Sequence, residues 1–249
     1  MGTEAETEFA TNGAIVVRGL FDDQWVETLR CVADELLGSL VDPSDRLGGA
    51  ATAPALSSDG VWRRDPAFAR FLARSPIADA AGAAMASELV ALYEDLFLYT
   101  DPEQAGAPWH RDAPHWPLMG DQLCSVWFSL EPVPIDGGAL HFVAGSHRDQ
   151  GEVVASESMV LDGAPEKDRE VFGFGTEPGD AIVFHPRILH SAIGAAPERP
   201  RRTFTVRFVG DDVRWRPRSS YYHPWMRDLD LERGDRLQHP WFPVLRGRP

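Results

Sequence analysis

Cysteine, lysine and long apolar runs are all scarce in this 249-residue chain, and each scarcity removes a class of explanation. Two cysteines, Cys31 and Cys124, are too few for a disulfide framework or a thiolate metal site, so both are read as core thiols. The longest early apolar run covers only residues 14–17 and follows the acidic Glu4, Glu6 and Glu8. That pattern suits neither a secretory h-region nor a membrane span and sets the expectation of a cytoplasmic protein. Lys167 is the sole lysine, so positive charge is carried by arginine. With 24 Lys+Arg against 38 Asp+Glu, the formal charge is −14. The average field therefore repels nucleic acid and anionic lipid, and neither is an expected partner. Several arginines nevertheless gather between Arg199 and Arg218, which leaves room for a local basic site.

What is present reads as an α+β chain, mainly β. Residues 1–9 are small and polar and read as a loose terminus, with order expected from Gly13. Residues 14–17 are strand-like. Asp22 or Asp23 then caps a helix whose apolar positions Trp25, Val26, Leu29, Val32, Leu36 and Leu37 recur at helical spacing. A Gly, Ala, Ser and Asp-rich stretch over 43–60 reads as a long surface loop, and a second helical stretch runs through 68–85. Short β-type runs follow at 90–99, 122–130, 138–143, 181–184 and 203–209, separated by Pro, Gly and Asp. No repeat divides the chain. The expected architecture is one domain over 1–249: an α-rich annexe (10–88), a jelly-roll (double-stranded β-helix, cupin-like) core (89–210) and an aromatic C-terminal strap (211–249). The strap or the loop over 44–60 is a candidate lid.

One constellation carries chemistry. Pro108-Trp-His110-Arg-Asp112 spaces an imidazole and a carboxylate two residues apart, which on an extended segment places both on one face. A second imidazole, His190, follows a β-rich run. Two neutral imidazoles and one carboxylate on one face of an octahedral ion suit Fe(II) and leave three positions open, enough for a bidentate co-substrate and O₂. A dicarboxylate keto acid such as 2-oxoglutarate then needs a cation at its far end, and Arg201 is the candidate. On the strand beginning at Arg201, alternation groups Arg201, Thr203, Thr205 and Arg207 on one face and Arg202, Phe204, Val206 and Phe208 on the other. The first group is fit to line a polar pocket.

With these residues in order, the chain resembles the phytanoyl-CoA dioxygenase family of iron and 2-oxoglutarate oxygenases. The resemblance runs from Gly13 to about Leu245. It is carried by Pro108-Trp-His-Arg-Asp-Ala-Pro, Cys124-Ser-Val-Trp-Phe, Asp136-Gly-Gly-Ala-Leu, Val143-Ala-Gly-Ser-His, Phe184-His-Pro-Arg-Ile-Leu-His-Ser and Arg199-Pro-Arg-Arg. It implies iron ligands at His110, Asp112 and His190, a 2-oxoglutarate arginine at Arg201 and a co-substrate wall at Trp127. Tyr99 and Thr100 stand where members often carry a lysine, so a hydroxyl is expected to substitute there, with Thr203 nearby. Ala192 stands where a serine is usual, so that hydrogen bond to the co-substrate is missing.

The implied activity is hydroxylation of a small metabolite, in a biosynthetic setting, with release of succinate and CO₂. A carboxylate at Asp112 argues against the halide-binding variant of this chemistry. An acyl-CoA substrate, desaturation or ring closure, and a non-oxidative cupin-like metal protein are the alternatives; the last has no need of Arg201. His115, Trp116 and Arg207 are the substrate-facing candidates. Trp127 is alternatively plain barrel core, His185 is structural, and His147 braces a turn. The assembly is expected to be a monomer or homodimer.

Overall fold

The computed structural model describes residues 3–39, 56–102, 106–113, 116–149, 165–192, 199–218 and 224–247. In chain order these form α1 (Thr3–Asn12), β1 (Ala14–Val17), α2 (Asp23–Ser39), β2 (Leu56–Asp59), α3 (Val61–Arg64), α4 (Pro66–Arg74) and α5 (Ile77–Met85). There follow β3 (Val90–Thr100), β4 (Leu118–Met119), β5 (Leu123–Ser129), β6 (His141–Val143), β7 (Val171–Gly173) and β8 (Ala181–Phe184). The chain closes with β9 (His190–Ser191), β10 (Arg201–Val209), β11 (Arg214–Trp215) and β12 (Val244–Arg246).

The fold is the mainly β, jelly-roll-like half-barrel that the strand spacing suggests. Its large antiparallel sheet has the order β1-β8-β5-β10-β3-β12, with β2 also paired to β3. A smaller sheet, β7-β6-β9, covers part of it, and β11 pairs with β4. Alternation along β10 separates the two faces of the large sheet. Phe204, Val206 and Phe208 are fully buried in a cluster that includes Phe68 and Phe71 of α4, Leu29 of α2 and Ile77 of α5. On the opposite face, Trp127, Ile182 and Phe184 pack with Phe142 of the small sheet. The helical layer thus covers the outer face, and the inner face is left for the site. A third cluster joins Trp116, Leu118 and Tyr93 to Trp215, Met226 and Phe242 of the C-terminal segment. Tyr221 and Tyr222 lie outside the described residues.

Several sequence expectations are corrected. Residues 3–9 are not a loose terminus: they belong to α1, and Phe9 is buried in the outer-face cluster. Within the single domain expected, strands from all three regions join one sheet: β1 pairs with β8, β2 with β3 and β12 with β3. The helical stretch over 68–85 divides at Ser75 and Pro76, where Ser75 is extended, as a residue before proline prefers. Asp65 caps α4 by accepting from the amides of Ala67 and Phe68, with Pro66 at the first helical position. Of the loop expected over 43–60, residues 43–55 lie outside the described residues, and the end forms β2 and Gly60.

Candidate metal centre

The segment 106–113 is not a long strand. It is bound to the segment 186–192 by mutual backbone bonds between His110 and His190 (2.9 and 3.0 Å), by the Ala192 amide to Ala107 (2.9 Å), and by the amides of Asp112 and Ala113 to the Pro186 carbonyl (both 2.9 Å). Gly106 permits this approach, since a Cβ there would lie 1.6 Å from the Ala192 carbonyl oxygen. The two histidines are thereby opposed, with ring centroids 4.2 Å apart. His110 Nδ1 donates to the Pro108 carbonyl (2.7 Å) and His190 Nδ1 to the Ile188 carbonyl (3.0 Å). A carbonyl only accepts, so each Nδ1 carries the proton and each Nε2 presents its lone pair.

Those two Nε2 atoms face Asp112 Oδ1 at 3.6 and 4.0 Å, and one ligand atom from each residue lies within 4.8 Å of the others. All three residues are largely shielded; Phe142 and Phe184 pack on the His190 ring. Burial works against the Asp112 carboxylate, but the Arg207 guanidinium and the two imidazoles outweigh it and hold its pKa well below the usual range. Burial and the neighbouring His110 push His190 down to about 4. For His110 burial acts downward too, yet the Asp112 hydrogen bond and charge prevail and raise it. One ionised carboxylate and two imidazoles whose Nδ1 protons are committed to backbone carbonyls make a donor set suited to a divalent cation.

Arg201 lies at the start of β10 on the inner face and is 8% exposed. Its Nη1 and Nη2 donate to the carbonyls of Gly138 and Gly137 at 2.8 and 2.9 Å. Those glycines lead into β6, whose Phe142 pairs with His190. Both acceptors are neutral. Among the described residues no carboxylate is hydrogen-bonded to Arg201, and burial lowers its pKa against the opposing charge of Glu131. Trp127 and Thr203 share this face: Trp127 is buried beside Ile182, and the Thr203 hydroxyl donates to the Leu98 carbonyl at 3.4 Å.

Tyr99 is a correction. It pairs with Arg202, not Arg201, and packs against the outer-face cluster, so its hydroxyl lies across the sheet from the site; Thr100 is the partner of Arg201. Arg207 is the second correction. It does not point to open space for substrate: it is buried between Glu94 and Asp112 Oδ2 (3.2 Å to the latter), with the Trp116 ring 5.5 Å from Cζ. Trp116 itself is buried in the strap cluster against Tyr93, and His115 lies outside the described residues. His185 is structural, as expected: Nε2 donates to the Asp121 carbonyl, Nδ1 accepts from the Arg187 amide, and burial pushes its pKa to about 3. His147 braces α1 through the Ala10 carbonyl.

Glu94 and the Gly137 and Gly138 carbonyls are participants the sequence reading missed. The adjacent acids Glu94 and Asp95 inside an otherwise apolar strand were the available signal for the first, because a charge is kept there only with a partner.

Comparisons with known proteins bear on the family and the fold. A family model described as phytanoyl-CoA dioxygenase (PhyH) matches residues 9–203. A protein described as a probable phytanoyl-CoA dioxygenase from Caenorhabditis elegans is 26% identical over 117 residues, covering 43% of this chain and 37% of its own. The chain thus spans little more than a third of that curated relative. Among solved structures, the non-haem α-ketoglutarate dependent carbocyclase SnoK from nogalamycin biosynthesis superposes with TM-score 0.82 at 19% identity, over 98% of this chain and 96% of that one. The epimerase SnoN in complex with Fe³⁺, α-ketoglutarate and nogalamycin RO gives 0.81 at 21% identity, over 98% of both chains. EctD from S. alaskensis with 2-oxoglutarate and 5-hydroxyectoine gives 0.74 at 20%, over 95% and 85%. At these identities the structures share the fold.

Proposed function

The chain belongs to the phytanoyl-CoA dioxygenase (PhyH) family, and from that premise we propose that it is an Fe(II)- and 2-oxoglutarate-dependent dioxygenase that hydroxylates a small-molecule metabolite, releasing succinate and CO₂. One observation carries the reading: two Nε2 lone pairs and one carboxylate oxygen converge, and the β10 face that meets Asp112 through Arg207 also carries buried Arg201, which has no anionic hydrogen-bond partner among the described residues. A structural zinc site would be closed by a fourth protein ligand, and a non-oxidative cupin-like protein has no use for Arg201.

In this reading His110, His190 and Asp112 hold the metal, with Pro108 and Ile188 fixing the ring tautomers. Arg201, splayed by Gly137 and Gly138, keeps further N–H groups to grip the distal carboxylate of 2-oxoglutarate, while Trp127 and Thr203 line the same face. Iron with 2-oxoglutarate and O₂ supplies the oxidising power for C–H hydroxylation; the protein supplies position and exclusion of water. Exclusion falls to Phe142, Phe184 and Trp127.

A small substrate is favoured over an acyl-CoA because a −14 chain repels a polyanion at long range. The likeness to a carbocyclase and an epimerase gives ring closure or epimerisation standing as a second reading. The test is incubation of the full chain with Fe(II), ascorbate, 2-oxoglutarate and a metabolite panel that includes acyl-CoAs. Hydroxylation adds one oxygen to the product mass, ring closure removes two hydrogens, and epimerisation changes neither. Product from acyl-CoA alone overturns the small-metabolite preference. No succinate from reconstituted, oxygenated protein overturns the dioxygenase.

A further inference from the structure

Arg207 and Glu94 form a buried device behind the candidate metal ligand. Arg207 Nη1 donates to Glu94 Oε2, and Nη2 donates to Asp112 Oδ2 at 3.2 Å. The other oxygen of that carboxylate, Oδ1, is the one turned to His110 and His190. A guanidinium left to its own preference takes a carboxylate with two parallel bonds. Here it is divided between two carboxylates, and its Nε, although buried, has no partner among the described residues. The arrangement therefore leaves one of the guanidinium's own donors unsatisfied while keeping one oxygen of Asp112 on Arg207 and the other turned to the two imidazoles. Register explains how this arises: Arg207 pairs with Glu94 on β3 and with Ser125 on β5, and the β10–β3 ladder shifts immediately afterwards, between Arg207 and Phe208. Ser125 Oγ, buried and equally without a partner, sits opposite Arg207 across the β5–β10 ladder. Trp116 packs near the guanidinium as well.

We propose that Arg207 is a positioning residue that confines Asp112 to one-oxygen ligation of the metal, so that the coordination position a second oxygen would take stays open for co-substrate. Glu94 holds Arg207 in this role by occupying Nη1; without it, Arg207 is free to take both oxygens of Asp112 and draw the ligand away from the metal. The inference rests on the iron and 2-oxoglutarate reading above and adds to it the device that keeps three positions available. It predicts opposite signatures for the two partners. Loss of Arg207 spares metal binding and weakens 2-oxoglutarate binding, whereas loss of Glu94 weakens metal binding itself.

Arg207→Met alone leaves two buried carboxylates without a cation and is liable to misfold. The main variant is therefore Glu94→Gln/Arg207→Met, which removes both charges together; Arg207→Lys and Glu94→Leu accompany it, with circular dichroism to verify folding. Mn(II) affinity of the full chain is measured by paramagnetic resonance of the free ion. Affinity for 2-oxoglutarate is measured on anaerobic Fe(II) protein through its metal-to-ligand charge-transfer absorption. The double variant should keep Mn(II) affinity within about 10-fold while its 2-oxoglutarate affinity falls by about 10- to 100-fold, the span typical of groups that orient a metal ligand. Arg207→Lys, which supplies charge without the fork, should fall between wild type and the double variant, and Glu94→Leu should lose Mn(II) affinity. An unchanged 2-oxoglutarate affinity in the double variant, beside a wild type that binds both, overturns the inference and leaves the dioxygenase reading standing. Loss of both affinities in parallel also overturns it, because that marks a general structural role. A wild type that binds no metal, or metal without 2-oxoglutarate, overturns the parent reading and this inference with it.

Discussion

Replacing Asp95 with asparagine should invert the ranking of wild type and variant stability between acidic and alkaline pH. Asp95 lies on β3 facing the helical layer and is 1% exposed. Its Oδ1 accepts from the Val61 amide at 2.6 Å and so fixes the start of α3, while Oδ2 is buried without a partner among the described residues. Burial raises the pKa from 3.8 to about 7, against the downward pull of the Val61 and Trp62 amides. The folded pKa of this acid thus lies above its unfolded value. As pH rises, the unfolded chain loses the proton first, so stability is greatest below about pH 4 and is lost progressively up to about pH 7. The whole gap corresponds to about 4 kcal/mol, of which about 2–3 kcal/mol falls between about pH 5 and about pH 8. Asparagine keeps the Oδ1 acceptor and cannot ionise, but its NH₂ meets the partnerless position of Oδ2 at a cost of about 1–3 kcal/mol at every pH. The variant should therefore be the less stable protein near pH 4, where little of this loss has occurred, and should exceed wild type near pH 8. Urea unfolding followed by tryptophan fluorescence, with a chelator present, measures both; other titrating groups are common to the pair and cancel. A difference that stays constant over this range refutes the reasoning.

Three further outcomes follow from the geometry. Phe204→Ala should cost about 3–5 kcal/mol in urea unfolding, because the ring is fully buried with Phe97, Phe68 and Phe128 centroids at 5.0, 5.1 and 5.5 Å; a loss under about 1 kcal/mol contradicts the packing described. Arg201→Ala should raise the KM for 2-oxoglutarate by about 100-fold or more, given about 1.5–3 kcal/mol for each charged hydrogen bond, while leaving Mn(II) affinity nearly unchanged; an unchanged KM removes Arg201 from the co-substrate site. Mn(II) at about 100 times its Kd should stabilise the chain by about 2.7 kcal/mol, and His190→Ala should abolish the gain; a melting temperature indifferent to metal in wild type argues against the triad.

Legibility in the sequence followed the range of the interaction. Alternation is local, so the two faces of β10 were readable, and Phe204, Val206 and Phe208 lie on the buried side as the pattern required. The triad was readable because residue types and spacing narrowed the candidates, and its members do converge. Face assignment needs register, which no local pattern supplies: Tyr99 pairs with Arg202, and only the ladder shows it on the wrong side. Arg207 was placed on the right face but with the wrong partner, since Glu94 reaches it from 113 residues away across a ladder that then shifts. The first helix was missed because Thr3–Asn12 is mostly polar and gains its anchorage from Phe9 and tertiary contacts.

The charge distribution itself makes one more demand on the proposed chemistry. The chain carries −14 overall, while Arg201, the cation assigned to the co-substrate, is buried and hydrogen-bonded only to neutral carbonyls among the described residues. Its attraction for a carboxylate acts at contact, where the surroundings are dry; at encounter distance a dianion meets the field of the whole molecule, which is repulsive. Salt screens the second far more than the first, since the Debye length falls from about 30 Å at about 0.01 M to about 10 Å at about 0.1 M. The association rate of 2-oxoglutarate, followed by stopped-flow growth of the charge-transfer band under anaerobic conditions, should therefore rise with ionic strength, the reverse of ordinary steering. A rate that falls with salt means that the arginines between Arg199 and Arg218 dominate the field at the mouth of the site. In that case the electrostatic objection to a polyanionic acyl-CoA substrate disappears.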